Sequence, residues 1–176
     1  MLTIRVLEAD EADKVRGIDR TETIPDGYRY ENGELVRLSV DWEIPGWFEG
    51  DGAHSFGAMI CGIRRDLDLG GTAFGAFDGD RLVGLAVYRP ELWPAMGQLA
   101  GLHVSSEYRR QGVASRLFDE VVRLARDDGA SKLYVSATPT GSAVGFYLSK
   151  GFAVTVEPDP QLLVEEPEDI HMILEI

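Results

Sequence analysis

The feature that most constrains the fold is a strand that leads through a short polar turn into a long amphipathic helix. Residues 98–104 alternate as a strand does, and residues 111–127 place apolar side chains on one helical face and charged ones on the other. Two small residues, Gly112 and Ala114, stand where this helix begins. The first turn of a helix leaves backbone N–H groups without partners, and the helix dipole favours negative charge there. The stretch therefore predicts a binding site for an anion such as a phosphate group.

Strands and helices alternate through the rest of the chain. Further strands are expected at residues 2–7, 72–77, 81–88, 132–137, 152–156 and 170–176, and further helices at residues 8–19, 53–69 and 141–150. Asn32-Gly33 between strand-like flanks predicts a hairpin, whereas residues 41–52 and 89–97 are expected to be irregular. This succession is typical of a three-layer α/β fold with a mixed sheet.

Composition narrows the functional class. The 176 residues fit one domain, residues 1–176, since no linker or low-complexity tract divides them. A formal net charge of −13 disfavours nucleic acid as a partner, because phosphate contacts need clustered Lys and Arg. The acidic balance favours a cationic substrate, although such a surface also serves solubility alone. No signal peptide or membrane-spanning run is recognisable, so we expect a cytoplasmic protein and no membrane partner.

The cysteine and the histidines argue against two kinds of site. Cys61 is the single cysteine and cannot form an internal disulfide, and its apolar neighbours Ile60 and Ile63 predict a buried thiol. His54 and His171 have no companion ligands at metal spacing. We therefore expect no metal.

The turn before the long helix carries a family signature. Arg109, Gly112 and Ala114 resemble the fixed positions of the Gln/Arg-x-x-Gly-x-Gly/Ala motif of the GNAT acetyltransferase superfamily, and the resemblance extends over residues 72–152. It implies a three-layer α/β/α fold with a mostly antiparallel sheet, splayed between the strands at 98–104 and 132–137. It also implies that acetyl-CoA binds through its diphosphate to main-chain amides of this loop. The cofactor-binding residues implied here are Arg109, Arg110, Gln111, Gly112, Val113, Ala114 and Ser115.

Two further segments extend the resemblance. The family's pantetheine arm enters the gap between the splayed strands, which implies contacts with the main chain of Leu102, His103 and Val104. The segment from Tyr147 to Phe152 is similar to the family's Tyr-x-x-x-Gly-Phe, whose tyrosine implies an acid that protonates the departing thiolate. A phenol with a pKa near ~10 can donate to a thiolate of pKa near ~8.5. The alternative role for this tyrosine is packing against the cofactor alone.

Two positions depart from the family pattern. Thr140 replaces an asparagine near the start of the last helix, and its hydroxyl can still reach the cofactor. Gln98 stands where some members carry a glutamate base. A base matters because an alkyl ammonium is mostly protonated at neutral pH and cannot attack. Glu43, Glu91, His103 and a water chain remain open for that role.

Aromatic and acidic residues in the two irregular stretches predict the acceptor pocket. Its expected residues are Trp42, Glu43, Trp47, Glu91 and Trp93. The expected function is an N-acetyltransferase that moves an acetyl group from acetyl-CoA to an amine of a small molecule or peptide by direct attack. Two alternatives stay open: a non-catalytic acyl-CoA-binding sensor or interaction protein, and an enzyme with a hydroxyl acceptor or a longer acyl donor. A homodimer also stays open.

Overall fold

The computed structural model describes residues 2–176. Its strands are β1 (Thr3–Val6), β2 (Glu22–Glu31), β3 (Glu34–Ile44), β4 (Thr72–Asp78), β5 (Arg81–Trp93), β6 (Met96–Val104), β7 (Lys132–Ala137), β8 (Ala153–Val154) and β9 (Ile170–Glu175). Its α-helices are α1 (Phe56–Asp68), α2 (Val113–Asp127), α3 (Gly141–Ser149) and α4 (Pro160–Glu165), with 3₁₀ helices at Ala9–Gly17 and Ser106–Tyr108.

Seven of these strands form one mixed sheet. Their order is β1-β4-β5-β6-β7-β9-β8, and within the described residues every neighbouring pair is antiparallel except β6 and β7. On one face, the 3₁₀ helix Ala9–Gly17 and α1 pack on β4 and β5 through residues such as Val15 and Ile63. On the other face, α2 and α3 cover the sheet through residues such as Leu117 and Val144. These three layers confirm the α/β/α fold with a mostly antiparallel sheet.

The amphipathic pattern of α2 fixes the helix against the sheet. Val113, Leu117, Val121 and Ala125 recur every four positions and are all buried. Leu117 is fully buried, so truncating it to alanine is expected to cost about 2–5 kcal/mol of stability. Gly129, at φ 84°, ends the helix in the left-handed conformation that glycine tolerates best. This packing holds the start of α2 beside the end of β6.

The parallel strands β6 and β7 are joined only at their beginnings. Hydrogen-bonded pairing covers Met96 to Gln98 of β6, and the two strands then separate although both continue. A bulge accompanies the separation: Tyr88 of β5 pairs with Leu99 and Val87 pairs with Gly101, so Ala100 is the extra residue. The splay between the strands at 98–104 and 132–137 is therefore present.

The hairpin β2–β3 forms a second, two-stranded sheet. Its turn is Asn32-Gly33, with both residues at positive φ, as the sequence predicts. The hairpin is held near the middle of β2 by a bridge from Gly27 to Thr140 and by the Tyr28 amide, which donates to the Pro139 carbonyl at 2.8 Å. It therefore lies against the connection between β7 and α3.

The prediction of irregular structure is wrong for parts of both acidic, aromatic stretches. Residues 41–44 complete β3, because the apolar alternation of Leu38 and Val40 continues through Trp42 to Ile44. In the second stretch, β5 runs on to Trp93 and β6 begins at Met96. Most of residues 89–97 is therefore a β-hairpin.

The prediction of a buried Cys61 is also wrong, because the thiol is exposed. Ile60 and Ile63 do lie on the buried face of α1, but successive helical residues are rotated by about 100°, which turns Cys61 outward. The helix expected at residues 8–19 is the 3₁₀ helix Ala9–Gly17, and α4 was not predicted. Thr140 caps α3, since its Oγ1 accepts from the Ala143 amide at 3.2 Å.

Candidate active site

A cavity of about 600 Å³ opens where β6 and β7 separate. Four parts of the chain line it: the start and end of the hairpin, the end of β6, the turn into α2, and α3 with the residues just before it. The lining residues are Arg20, Glu22, Ile44, Leu102, His103, Val104, Tyr108, Arg109, Arg110, Gly112, Val113, Ala114, Ser115, Thr138, Thr140, Ser142, Ala143, Phe146 and Tyr147. The structure thus brings together every predicted cofactor-binding residue except Gln111, together with Tyr147.

Residues 110–115, here named the amide loop, present main-chain donors to this cavity. Arg110 and Gly112 have φ values of 60° and 79°, and Gly112 is the N-cap of α2. The first helical hydrogen bond of α2 runs from the Arg116 amide to the Gly112 carbonyl. The amides of residues 113–115 therefore have no acceptor within the helix. A Cβ built on Gly112 would meet no atom within 4 Å. The amide loop is therefore an open cradle for an anion at the positive end of a helix.

Arg109 is a structural residue more than a free cation. Its guanidinium donates to the carbonyls of Val104 at 3.2 Å, Thr21 at 2.9 Å and Arg20 at 2.9 Å. These contacts tie the end of β6 and the turn into α2 to the chain that enters the hairpin. The planar donor fork of arginine suits such a three-way contact, which a lysine could not reproduce.

The charge of the cavity is opposite to that of the protein. Its lining carries Arg20, Arg109 and Arg110 against the single carboxylate of Glu22, whereas the whole chain has a formal net charge of −13. Like-signed charges in a concave site reinforce each other's field. The cavity is therefore suited to an anionic ligand, and an otherwise acidic surface would repel that ligand elsewhere.

The end of β6 contributes residues from both strand faces. Leu102 and Val104 pack against the core beneath α2, whereas His103 lies against the Trp47 ring at a centroid distance of 5.0 Å. Burial lowers the pKa of His103 to about 4, and the positive charges of Arg20 and Arg109 act in the same direction. His103 is therefore neutral at physiological pH and a weak base.

Tyr147 lies on α3 and is 7% exposed. Its ring packs edge-on against Phe146 and Phe152, at centroid distances of 5.5 and 5.3 Å. Burial raises the pKa of the Tyr147 phenol well above its usual range, and the nearby charge of Asp169 adds to this. The hydroxyl is therefore fully protonated at neutral pH and can act as a hydrogen-bond donor.

Comparison with known proteins identifies the family. A sequence profile of the acetyltransferase (GNAT) family matches residues 35–152. The chain belongs to the GNAT acetyltransferase family. Mouse (Mus musculus) N-acetyltransferase 8 is 38% identical over 97 residues, which are 52% of this chain and 43% of that protein. The chain thus spans less than half the length of this curated relative.

Solved structures share the GNAT fold at low sequence identity. Nourseothricin acetyltransferase superposes with a TM-score of 0.74 at 21% identity, over 99% of this chain and 98% of that one. PaiA N-acetyltransferase from Thermoplasma acidophilum, solved in complex with coenzyme A, superposes with a TM-score of 0.64 at 15% identity, over 100% and 99% of the two chains.

The residues predicted for the acceptor pocket of this GNAT protein do not line the cavity. The Trp47 ring packs against His103, which itself lines the cavity. Trp42 and Glu43 are adjacent on β3 and therefore point to opposite faces of the hairpin. The Glu43 carboxylate accepts from the hydroxyl of Thr23, its partner on β2, at 3.2 Å.

Glu91 and Trp93 lie apart from the cavity, on the far end of β5. Glu91 is exposed at a φ of 52°, next to the β5–β6 turn. The Trp93 indole donates to the Asp159 carboxylate at 2.9 Å and packs against the Tyr134 ring. A single pocket built from both predicted stretches is therefore not what the fold forms.

Two positions of the family pattern have partners outside the cavity. Gln98 is buried, and its Oε1 accepts from the Arg89 guanidinium at 3.4 Å. The side-chain amide of Gln111 donates to the main-chain carbonyl of Glu107 at 2.8 Å, which stabilises the turn. Within residues 2–176, no group of three or more His, Cys, Asp or Glu side chains could hold a metal ion. In the same part of the chain, no helix has the length and apolar character needed to cross a bilayer.

Sequence reasoning missed the hairpin contribution to the site. Glu22 and Ile44 are directly opposed in the β2–β3 ladder, and both line the cavity. A register shift between Ile24 and Asp26 sets this pairing, since Glu31 opposes Glu34 at the turn end. Counting back from the turn without the shift would place Glu22 opposite Glu43. Pro25, which cannot donate to a ladder, was the one available signal for the bulge.

Proposed function

We propose that this protein is an acetyl-CoA-dependent N-acetyltransferase that moves an acetyl group to an amine by direct attack. One observation carries the proposal: the amide loop, the gap between β6 and β7 and the Tyr147 hydroxyl share one cavity. A thioester donor needs a place for its phosphates, a channel for its arm and a group near its sulfur, and this cavity offers all three.

The amide loop would bind the diphosphate of acetyl-CoA. Support comes from the unpaired amides at residues 113–115, the open space beside Gly112 and the exposed guanidinium of Arg110. The pantetheine arm would then lie along Leu102 and Val104, where β6 has no strand partner on its β7 side. Its amides can pair with that main chain as an added strand would.

The chemical step would be a single displacement. The lone pair of the neutral amine attacks the carbonyl carbon of the thioester, the new C–N bond forms, and the C–S bond breaks to release the thiolate of coenzyme A. Tyr147 would donate a hydrogen bond to the sulfur and pass its proton to it. Solvent would take up the proton that the amine nitrogen loses and return one to the Tyr147 phenolate. Because burial raises the pKa of Tyr147, the transfer is uphill, and stabilisation of the thiolate by the hydrogen bond is its main contribution.

The candidate bases become fewer. His103, with a pKa of about 4, is roughly six units too acidic in its protonated form to take a proton from an alkyl ammonium of pKa ~10. Glu43 and Glu91 lie outside the cavity lining. A water chain would therefore deprotonate the amine before it attacks.

The decisive experiment is a thiol-release assay with acetyl-CoA over a panel of acceptors. The panel contains polyamines, aminoglycosides, amino acids, peptide N-termini and nourseothricin, since one structural neighbour is named for acetylating that compound. We expect thiol release that depends on one class of amine, with the acetylated product visible by mass spectrometry. Binding of acetyl-CoA by calorimetry without any acetylated product would favour the non-catalytic sensor instead.

A further inference from the structure

We propose that Glu22 binds the positive charge of the acceptor, and that the acceptor is therefore a cationic amine. This inference rests on the proposed function, since it names the substrate class of the same cavity. Glu22 supplies the only carboxylate in the cavity lining among residues 2–176. A carboxylate in this otherwise cationic lining disfavours acetyl-CoA itself and favours a second, cationic ligand.

The charge of Glu22 is only loosely paired within the protein. The nearest cation is Arg109, whose Nη1 lies 3.5 Å from Glu22 Oε2, beyond the range of a good hydrogen bond. That same nitrogen already donates to the Thr21 carbonyl at 2.9 Å. A carboxylate offers about four acceptor sites. Glu22 therefore keeps the capacity to accept hydrogen bonds from a bound ammonium group.

Arg20, the second cation nearby in sequence, is directed elsewhere. Its Nε donates to the Pro45 carbonyl at 2.9 Å, and its guanidinium carbon lies over the Trp47 ring at 5.5 Å from the centroid. These contacts hold the guanidinium against the loop after β3. Arg20 is therefore not available as a second partner for Glu22.

The hairpin holds Glu22 in a defined position. Glu22 faces the cavity beside its ladder partner Ile44, and the carbonyls of the two preceding residues, Arg20 and Thr21, are fixed by Arg109. The side chain is 26% exposed, so the carboxylate has lost part of its hydration and gains more from a bound cation than a surface carboxylate does.

The test compares two carboxylates on one hairpin. Glu22→Gln keeps the shape and removes the charge, and Glu34→Gln makes the same charge change at the hairpin turn, away from the cavity. Steady-state kinetics are measured with spermidine, nourseothricin and lysine-containing peptides as cationic acceptors, and with glycine amide and glutamate as small and anionic acceptors. Acetyl-CoA affinity is measured by calorimetry, and folding by thermal melting.

For Glu22→Gln we expect a KM for the cationic acceptor raised roughly 10- to 100-fold, since hydrogen bonds to charged groups carry that much binding. The kcat and the acetyl-CoA affinity should stay within about threefold. Wild-type KM should rise with salt, and that dependence should weaken in the variant. Glu34→Gln should match the wild type, and Glu22→Asp should recover part of the lost affinity.

Three results would overturn the inference. These are a preferred acceptor that is anionic, equal KM values in Glu22→Gln and Glu34→Gln, and a loss confined to acetyl-CoA affinity. Each of them leaves the N-acetyltransferase assignment intact. If acetyl-CoA binds but no amine is acetylated, the proposed function fails, and the role of Glu22 fails with it.

Discussion

One part of the cavity lining offers main-chain groups to a ligand, and another part offers side-chain groups. The amide loop offers N–H groups whose positions depend on a helix start and on φ values of 60° and 79°. The hairpin and α3 instead offer the Glu22 carboxylate and the Tyr147 hydroxyl. Main-chain recognition requires small residues at fixed spacing and so leaves a motif, whereas side-chain recognition depends on which distant segments the fold brings together. The main-chain part can therefore be predicted from the sequence, whereas the side-chain part largely cannot.

The largest effect is expected at Tyr147, where side-chain chemistry can be removed without changing shape. Tyr147→Phe should lower kcat roughly 10- to 1000-fold with little change in acetyl-CoA affinity, because the ring remains and the donor is lost. Single-turnover kinetics and calorimetry measure the two quantities separately. Tyr108→Phe is the control, since Tyr108 also lines the cavity but its hydroxyl binds the Asp78 carboxylate at 2.9 Å. If Tyr147→Phe has the same kcat as Tyr108→Phe, Tyr147 acts only through packing.

The main-chain part of the lining can be tested with a matched pair of glycine substitutions. Gly112→Val should weaken acetyl-CoA binding roughly 10- to 100-fold, because a branched side chain at φ 79° displaces the amides that we propose for the diphosphate. Gly129→Val introduces the same strain at φ 84° at the other end of α2, also with no atom within 4 Å of the new Cβ. Both variants should lose stability, and only Gly112→Val should lose binding. Unchanged affinity in folded Gly112→Val protein would mean that the diphosphate binds elsewhere.

The two arginines of the turn should separate structure from binding. Arg109→Lys should lower the free energy of unfolding by about 1–2 kcal/mol, since a lysine cannot reach the three carbonyls together. Arg110→Ala should leave stability nearly unchanged and lower acetyl-CoA affinity severalfold, more at low salt than at high salt. Thermal melting and calorimetry at two salt concentrations measure both. The reverse pattern would mean that Arg109 is the phosphate ligand.

The smallest effect concerns the carboxylate of Asp169, whose charge acts on the Tyr147 phenol. Burial raises the pKa of Asp169 to about 7, and the charge of Glu166 acts in the same direction. An aspartate in the unfolded chain titrates near ~3.9. Burial of the charged carboxylate therefore lowers the free energy of unfolding by its full amount above about pH 7, and it has no effect below about pH 4. Asp169→Asn should therefore match the wild type at pH 4 and be more stable by about 1 kcal/mol at pH 8. Denaturant unfolding at both values checks this, and an advantage confined to acid pH would contradict it.

Much of the fold was predictable because its signals are local. The period of α2, the Asn32-Gly33 turn and the alternating strands each depend on neighbouring residues, and the structure confirms them. The start of a helix beside the amide loop was predictable for the same reason, and the role of the loop in binding stays a prediction. Cys61 shows the limit of local reasoning, because apolar neighbours in sequence do not fix the face of a helix that a residue occupies.

The hairpin part of the cavity lining was not predictable, because long-range placement decides it. Glu22 lines the cavity on a hairpin whose register shifts before Asp26 and which is bridged from Gly27 to Thr140, and no spacing in the sequence encodes that placement. Trp93 shows the converse case, since an aromatic residue that suggests a pocket serves instead to fix α4 through Asp159.

The separation of β6 from β7 also has a consequence for how the protein holds together. Three residue pairs, from Met96 to Gln98, carry the sheet across its centre, so it behaves as two half-sheets with a seam between them. An acetyl-CoA arm lying in that seam would act as a missing strand. Binding of acetyl-CoA would then also raise the free energy of unfolding, by about 2.7 kcal/mol when its concentration is a hundred times the dissociation constant. The stability of the folded protein would then follow the local concentration of acetyl-CoA.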